Sequence, residues 1–512
     1  MNQLPAIGKS RVWELFASWN FRKIFQIIFT VLSALIASQF ILRFPADLIV
    51  FLIAGAVFLL VSLRRPEIII LLIIVILASI MFENALPLIP IPGGSFHFTD
   101  VFLLFFLFMI PFKLLTDRRF RLQRTPLDFP LLLFFLAALI SAGLTIFSHP
   151  GDYTKVIRGF RPVTYYLLFF VVTNFIREKK QIRFLLNSLF IIAAVVSGLM
   201  IIQAAGGGAI NLMPGQVETI SLFGQVADAS RITPPGCKLI FVMTIPAFCA
   251  LVFAKKLLWK SGYLYLLSFI VSGLLLSYTR TFWISSLFSL FVFTLIVAKE
   301  EKKRVFASVL LTILLIGFFV SPIGFVSGKA KAFYDSMSDR FGSLFDFIMT
   351  MESSSLDWRK IENVYGRRSI LQHPLLGIGL GHPYRPRVSW MDSYKKGEEW
   401  DSMSYIHNGY FWVLVVFGMS GFLPLLWFFI RFIVDGFSAW RKIKDPFERS
   451  AVIGSTLSVL GIAICNLTIP MLMNWASIVV TVTIIGLAET IIQRNEEELS
   501  ESSRSKIGMN SP

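Results

Sequence analysis

The sequence predicts an all-α, polytopic integral membrane protein with about 14 transmembrane helices and one large extracytoplasmic loop. Apolar runs recur from residue 24 almost to the C-terminus, and many reach the length of about 20 residues that a helix needs to cross the bilayer. The 512-residue chain is 55% hydrophobic and only 15% charged, which leaves too little polar surface for soluble domains. One long connection, residues 328–405, interrupts this pattern.

The formal net charge of +17 does not indicate nucleic-acid binding, because that function needs basic residues gathered on one solvated face. Here the basic residues form short groups between apolar runs, as at 118–121 and 302–304, and this pattern sets the orientation of membrane proteins. The three cysteines lie in or beside apolar runs, so neither a disulfide nor a metal site is predicted. The expected environment is the lipid bilayer, without nucleic acid as a partner.

The predicted spans follow from the apolar runs and their charged flanks. The first run is long enough to cross the bilayer and follows polar residues, so we interpret it as a span and not as a cleaved signal peptide. The spans are predicted at 24–42, 47–63, 68–86, 101–115, 129–147, 162–176, 184–202, 239–254, 263–277, 282–298, 305–326, 410–430, 452–471 and 475–492.

An even number of spans places both termini on one side of the membrane, and the basic residues identify that side as the cytoplasm. With the N-terminus inside, the tail and inner loops hold 30 of the 48 Lys and Arg residues, the short outer loops hold 7, and segment 328–405 holds 11. The long loop is therefore expected to be extracytoplasmic.

This topology predicts five regions along the chain. They are N-terminal helices with an outer basic cluster (1–235), central helices (236–327), an extracytoplasmic cap loop (328–406), C-terminal helices (407–492) and a cytoplasmic tail (493–512).

The cap loop has the composition of a folded segment. It contains Trp358, Tyr365 and Trp390 and balances 11 basic against 10 acidic residues. Periodicity predicts two helices in it, at 331–351 and 357–372.

A few basic residues oppose the orientation rule by lying in short outer loops. Lys155, Arg158 and Arg161 share a broad face if 153–166 is helical, and either bind a substrate or reach lipid phosphates. Arg280 lies at the tip between two apolar runs, where its fork of donors suits a phosphate or carboxylate. Alternatively, Arg280 lies at the tip of the helical hairpin and interacts with lipid headgroups.

His407 and Asn408 end the long loop and come directly before an apolar span. A histidine at the membrane surface can take a proton from a hydroxyl at neutral pH, and it can meet one substrate in water and another in lipid. A histidine with a purely structural role fits the same position.

The pattern around His407 resembles the bacterial O-antigen ligase and O-antigen polymerase superfamily. His407-Asn408, followed by Gly418 and Gly421, is similar to the signature of that family. Upstream, Arg359 precedes a run that resembles the family's Pro-Leu-x-Gly-x-Gly segment and contains Gly377, Gly379 and Gly381. Thr279-Arg280-Thr281-Phe282-Trp283 also resembles the family's arginine at the outer end of a span, although Ile284 stands where leucine is common. The resemblance covers 239–492.

The resemblance implies a GT-C-like membrane glycosyltransferase of the bacterial inner membrane that acts in cell-surface polysaccharide biosynthesis, including that of lipopolysaccharide. It implies inverting transfer from an undecaprenyl-diphosphate-linked glycan donor to the hydroxyl of a glycan or lipid-core acceptor, without a metal ion or cofactor. His407 would take the acceptor proton and Asn408 would orient a partner. Arg280, Arg158, Arg161 and Arg359 would bind the diphosphate, and the five glycines would shape tight turns.

Two other classes remain as alternatives. A lipid-linked oligosaccharide flippase can also have fourteen spans, but its charges are expected along a central cavity and not at one rim. A metal-dependent prenyl-phosphate-sugar enzyme would need an acidic motif in its first outer loop, which here is 43–46 with Asp47 alone. Ion-coupled transport is disfavoured because no predicted span carries Asp, Glu or His near its centre.

Overall fold

The computed structural model describes residues 64–79, 88–91, 94–118, 120–148, 153–205, 212, 216–222, 225–254, 257–327, 354–387 and 403–508. The chain divides into two units, Met1–Pro66 and Glu67–Pro512, and the second contains nearly all of these residues. Predicted spans 24–42 and 47–63, the end of predicted span 68–86, the predicted cap helix 331–351 and Trp390 lie outside the described residues.

The described chain is mostly helical. The helices are α1 (Pro66–Ala78), α2 (Phe98–Thr116), α3 (Asp128–Ser148), α4 (Tyr153–Thr164), α5 (Leu168–Phe175), α6 (Lys179–Ala205), α7 (Cys237–Phe253), α8 (Gly262–Leu276), α9 (Arg280–Ile296), α10 (Lys299–Ser327), α11 (Ser354–Gln372), α12 (Gly409–Ala439), α13 (Pro446–Cys465) and α14 (Trp475–Gly508). The helix predicted at 357–372 is α11.

Membrane-spanning length and composition are found in seven helical segments of the described chain. These are α2, α3, the continuous stretch Tyr153–Phe175, α6, Gly409–Lys442, α13 and Trp475–Glu501, while α1, α7, α8 and α9 are shorter apolar helices. A polytopic membrane protein fits this architecture, and the count of 14 spans stays a prediction.

Two antiparallel hairpins correct the expectation that every element is helical. Strand β1 (Ile89–Ile91) pairs with β2 (Gly94–Phe96), and β3 (Gln216–Leu222) pairs with β4 (Gln225–Thr233). Both lie in connections between spans, where hydropathy carries no information about strands. The sequence does carry one local signal, since Pro92-Gly93-Gly94 joins β1 to β2 and favours a turn.

The core of the bundle is built around α14. Nearly all of its apolar stretch is buried, against α5, α7, α12 and α13. Other helices present apolar side chains outward, as α3 does with Leu132 and Leu136 and α9 with Phe291 and Leu295. Large exposed apolar faces on long helices are expected where the surrounding solvent is lipid.

Two predicted spans differ from the helices observed. Predicted span 452–471 is α13, which ends earlier, at Cys465, and the following Pro470 is incompatible with a continuing helix. Predicted span 410–430 falls in α12, which is interrupted at Gly418.

Polar contacts collect at both ends of the bundle. At one end, α12 begins just after His407, and the N–H of Gly409 donates to the carbonyl of Asn466 at the end of α13. The same end holds the start of α14, where the Arg161 guanidinium lies 5.3 Å from the ring centroid of Trp475. We call this the His407 end. At the opposite end, Arg183 pairs with Asp445 at 2.6 Å.

Candidate functional site

His407 is held by the first turn of α12. Asn408 caps this helix, because its Oδ1 accepts hydrogen bonds from the N–H groups of Tyr410 at 3.0 Å and Phe411 at 3.1 Å. Gly409 packs so closely on Asn466 that a Cβ would lie 2.1 Å from the Asn466 Oδ1. The backbone on both sides of this junction is therefore fixed, and the carboxamide oxygen of Asn408 is engaged in the cap.

The imidazole of His407 is paired with a carboxylate that sequence reasoning missed. Glu362 on α11 lies with both carboxylate oxygens 2.9 Å from His407 Nδ1, and it accepts the backbone N–H of His407 at 2.9 Å. The Glu362 side chain is 2% exposed and that of His407 is 34% exposed. A carboxylate only accepts, so Nδ1 carries the proton and Nε2 carries the lone pair in the neutral ring.

Aromatic side chains fix the plane of this imidazole. The ring of Tyr405 lies edge-on to the imidazole of His407, with ring centroids 4.9 Å apart. The ring of Trp412 packs against Tyr405 in turn, with ring centroids 5.0 Å apart. Burial raises the pKa of Tyr405 above its ordinary range, and the nearby Glu362 carboxylate raises it further. Tyr405 is therefore a neutral wall of the site at physiological pH.

Arg359 lies one helical turn before Glu362 on α11. Burial lowers the pKa of Arg359 from its ordinary value, while the charges of Glu362 and Tyr405 act in the opposite direction. The guanidinium remains a cation at physiological pH, because the ordinary pKa of arginine lies far above that pH. The structure thus brings Arg359, Glu362, Tyr405 and His407 together.

The cap is joined to α12 at the interruption of that helix. Gly418 has φ 61° and ψ −163°, so the next two N–H groups lose their acceptors four residues earlier. Segment 374–379 of the cap replaces the two lost bonds with four. The N–H groups of Ile378 and Gly379 donate to the carbonyls of Val415 and Val416 at 2.8 and 3.2 Å, and those of Met419 and Ser420 donate to the carbonyls of Pro374 and Leu375 at 2.8 and 3.0 Å.

This junction explains why two glycines are needed. A Cβ on Gly377 would lie 2.5 Å from the carbonyl of Val416, and a Cβ on Gly418 would lie 2.4 Å from the carbonyl of Leu375. Both glycines also have positive φ, 71° and 61°. The two backbones approach too closely for any side chain at either position.

The remaining motif glycines bring the cap and helices into close contact. A Cβ on Gly379 would lie 2.2 Å from Thr145 Oγ1 on α3, and one on Gly381 would lie 2.6 Å from the carbonyl of Lys155 on α4. Gly421 packs within α12 and against α3, where its Cβ would lie 3.5 Å from the Cβ of Ala137. The cap segment is thereby seated on α3, α4 and α12.

The predicted arginines of α4 have different surroundings. Arg161 pairs with Asp100, its Nε 3.0 Å from Oδ1, and donates to the hydroxyl of Tyr165 at 2.8 Å. Arg158, one turn earlier, is exposed. The positive charge of Arg161 is therefore already balanced by a carboxylate, and that of Arg158 faces outward.

Arg280 is the first residue of α9 and is partly exposed. The preceding Tyr278 has a positive φ of 47°, which makes this connection tight. The neighbouring Thr281 shares a hydrogen bond of 2.8 Å with Thr468, in the turn after α13. Arg280 therefore lies at the His407 end of the bundle.

Three residues at this end were not predicted from the sequence, namely Glu362, Tyr405 and Arg385, the last of which is 4% exposed. The sequence carries no signal for Glu362, because the buried face of α11 holds Glu362, Gly366 and Ser369 and is not marked by apolar residues at helical spacing. An acidic residue on the buried face of a helix needs a partner.

Residues 264–426 match the family described as O-antigen ligase. The match includes Arg280, Glu362, the glycine run and His407 through Gly421. A search of curated proteins finds no significant match to the chain.

Replacement of Gly418 by Ala is expected to destabilise the protein by about 2 kcal/mol or more, because a Cβ cannot fit and the backbone conformation is nearly exclusive to glycine. Thermal unfolding of the purified variant in detergent measures this loss. Gly317→Ala in α10 is the matched control, since a Cβ there meets nothing within 4 Å. The junction has been misinterpreted if both variants unfold at the wild-type temperature.

Proposed function

We propose that this chain, whose residues 264–426 belong to the O-antigen ligase superfamily, is a membrane glycosyltransferase that transfers an undecaprenyl-diphosphate-linked glycan to an acceptor hydroxyl. The reaction takes place at the His407 end of the bundle, on the outer face of the bacterial inner membrane, with both termini in the cytoplasm. The segregation of basic residues supports this orientation.

The observation that carries the proposal is the pairing of His407 with the buried Glu362. The carboxylate holds the proton on Nδ1, so Nε2 carries the lone pair. The His407 side chain is 34% exposed and can therefore meet a substrate. Nε2 takes the proton of the acceptor hydroxyl while that oxygen attacks the anomeric carbon of the donor sugar. Glu362 then stabilises the imidazolium, as a carboxylate does in other paired histidine bases.

The leaving group determines what else the site needs. The bond between the anomeric carbon and the diphosphate oxygen breaks as the new glycosidic bond forms, so negative charge develops on the diphosphate. A single displacement of this kind inverts the anomeric configuration. Arg280, Arg359 and Arg158 supply fixed positive charge, and the proposed reaction therefore requires neither a metal ion nor a cofactor.

Arg161 has a different role in this proposal. Its guanidinium is neutralised by Asp100 and lies against Trp475, so it joins α2, α4 and α14. Asn408 likewise acts through His407, since its oxygen caps α12. We assign both as positioning residues.

The acceptor is either a lipid core, as for a ligase, or another lipid-linked glycan, as for a polymerase. Deletion of the gene separates the two. Loss of a ligase leaves long polymers on the lipid carrier, and loss of a polymerase leaves single repeats on the core. A flippase is not favoured, because α14 fills the centre of the described bundle and Glu362, the partner of His407, belongs to the cap.

Replacement of His407 by Ala is expected to abolish glycan transfer in membranes while leaving the protein inserted, because no other group takes the proton. The matched control is His373→Ala, an exposed histidine at the end of the same cap helix. Full activity of the His407 variant contradicts the proposal.

Glu362→Gln preserves shape and removes the charge that stabilises the imidazolium. We expect transfer to fall by about 100-fold or more with little change in the concentration of donor needed for half-maximal rate. Glu300→Gln, at an exposed glutamate, is the control. A change in donor affinity alone would show that Glu362 serves binding and not proton transfer.

Arg280→Lys keeps the charge but loses the fork of donors. If Arg280 binds the diphosphate, transfer is expected to fall by about tenfold or more. Arg118→Lys, at the opposite end, should have no effect. Wild-type turnover by the Arg280→Lys variant would show that Arg280 does not bind the diphosphate and would favour an interaction with lipid headgroups.

A further inference from the structure

A cavity of about 950 Å³ opens at the end of the bundle opposite His407. Its walls are the C-terminal parts of α12 and α14 and the connection between α2 and α3. Six basic and four acidic side chains line it, together with apolar groups such as Leu122 and Ile492. The charge distribution predicts this end to be cytoplasmic, so the cavity lies at the level of lipid headgroups.

Three exposed cations line the cavity, and one of them, Arg124, lies close enough to Asp128 for their charges to interact. These cations are Arg121, Arg124 and Lys442. Within the part of the chain that the structure describes, none of these side chains forms a hydrogen bond or a salt bridge, and only the backbone carbonyls of Arg121 and Arg124 are used. Three such cations around one cavity suit a phosphate.

The same cavity is lined by a carboxylate that is incompletely satisfied. Glu489 is 1% exposed, and its Oε1 accepts from Gln493 Nε2 at 3.1 Å. Its Oε2 is buried and has no hydrogen bond among the described residues. Asp435 and Glu496 lie close enough to repel it, and Asp435 is itself paired with Arg431 at 2.7 Å. A further positive charge beside Glu489 would therefore be favourable.

Topology alone explains the cations, since cytoplasmic loops of membrane proteins are basic. It does not explain a buried carboxylate with like-charged neighbours in the same cavity. A single ligand that carries both charges satisfies the cations and the carboxylate together.

We propose that this cavity binds the headgroup of a zwitterionic phospholipid, with the phosphate on Arg121, Arg124 and Lys442 and the primary ammonium on Glu489. The apolar lining at Leu122 and Ile492 accommodates the glycerol end of the lipid. The bound lipid would contact the segment between α2 and α3 as well as α12 and α14, and so link them. This inference is independent of the reaction at the His407 end.

Native mass spectrometry of the full chain, delipidated in detergent, tests the proposal with equal amounts of phosphatidylethanolamine and phosphatidylglycerol of matched acyl chains. We expect the wild-type protein to retain the ethanolamine lipid preferentially. Arg121→Gln combined with Arg124→Gln should reduce retention of both lipids by about tenfold or more. Glu489→Gln should abolish the preference and leave phosphate-dependent binding.

Arg118→Gln is the matched control, because Arg118 is an exposed arginine on the same connection but does not line the cavity. Thermal unfolding establishes that each variant is folded, and Lys442→Gln replaces the double variant if the latter is not. The proposal is overturned by equal retention in the arginine variant and the control, by equal binding of both lipids to the wild type, or by displacement of the lipid with millimolar inorganic phosphate.

Discussion

The rest of the His407 end depends on the backbone junction between the cap and α12. Interrupting a helix inside or beside a membrane exposes N–H and carbonyl groups that lipid cannot satisfy, at a cost of several kcal/mol each. The interruption at Gly418 is tolerated because segment 374–379 supplies the missing partners. The same hydrogen bonds hold the cap on α12, so the break and the cap stabilise each other. Buried Tyr384, Ile406 and Val415 form an apolar cluster beside this junction and keep water from its hydrogen bonds.

The junction also determines the electrostatics of the site. It sets α11 over the start of α12, and only then does Glu362 reach His407. A carboxylate that is almost fully buried would be strongly destabilising alone, but here it accepts both a ring N–H and a backbone N–H from one residue. The same arrangement selects one tautomer and one ring orientation for His407. The contacts that satisfy Glu362 therefore also fix the ring of His407, so local stability and the orientation of the proposed base have a common origin.

The sequence indicates the helices well and the contacts between them poorly. Hydropathy averages over about 20 residues, so it locates α3, α6 and α14 but does not detect the break at Gly418, the early end of α13 or the hairpin of β1 and β2. His407 could be predicted because it stands at a loop end within a recognisable pattern. Glu362 could not, because it is one of ten acidic residues in segment 328–405 and only the packing of α11 distinguishes it. For Arg161 the sequence suggests a phosphate site, because an arginine near the end of a span suits one. In the structure its charge is balanced by Asp100, which is distant in sequence but forms a salt bridge with it.

Glu362 and Glu489 show how the surroundings of a buried carboxylate decide its consequence. Both are almost inaccessible to solvent, and both lie near an end of the helical bundle. Two donors from His407 satisfy Glu362, and this pairing holds the imidazole in one orientation. Glu489 receives one amide donor and has further acids near it, while exposed cations line the same cavity. The first arrangement is complete without a ligand. The second gathers both signs of charge around a cavity large enough for a headgroup, so a bound zwitterion is what would complete it.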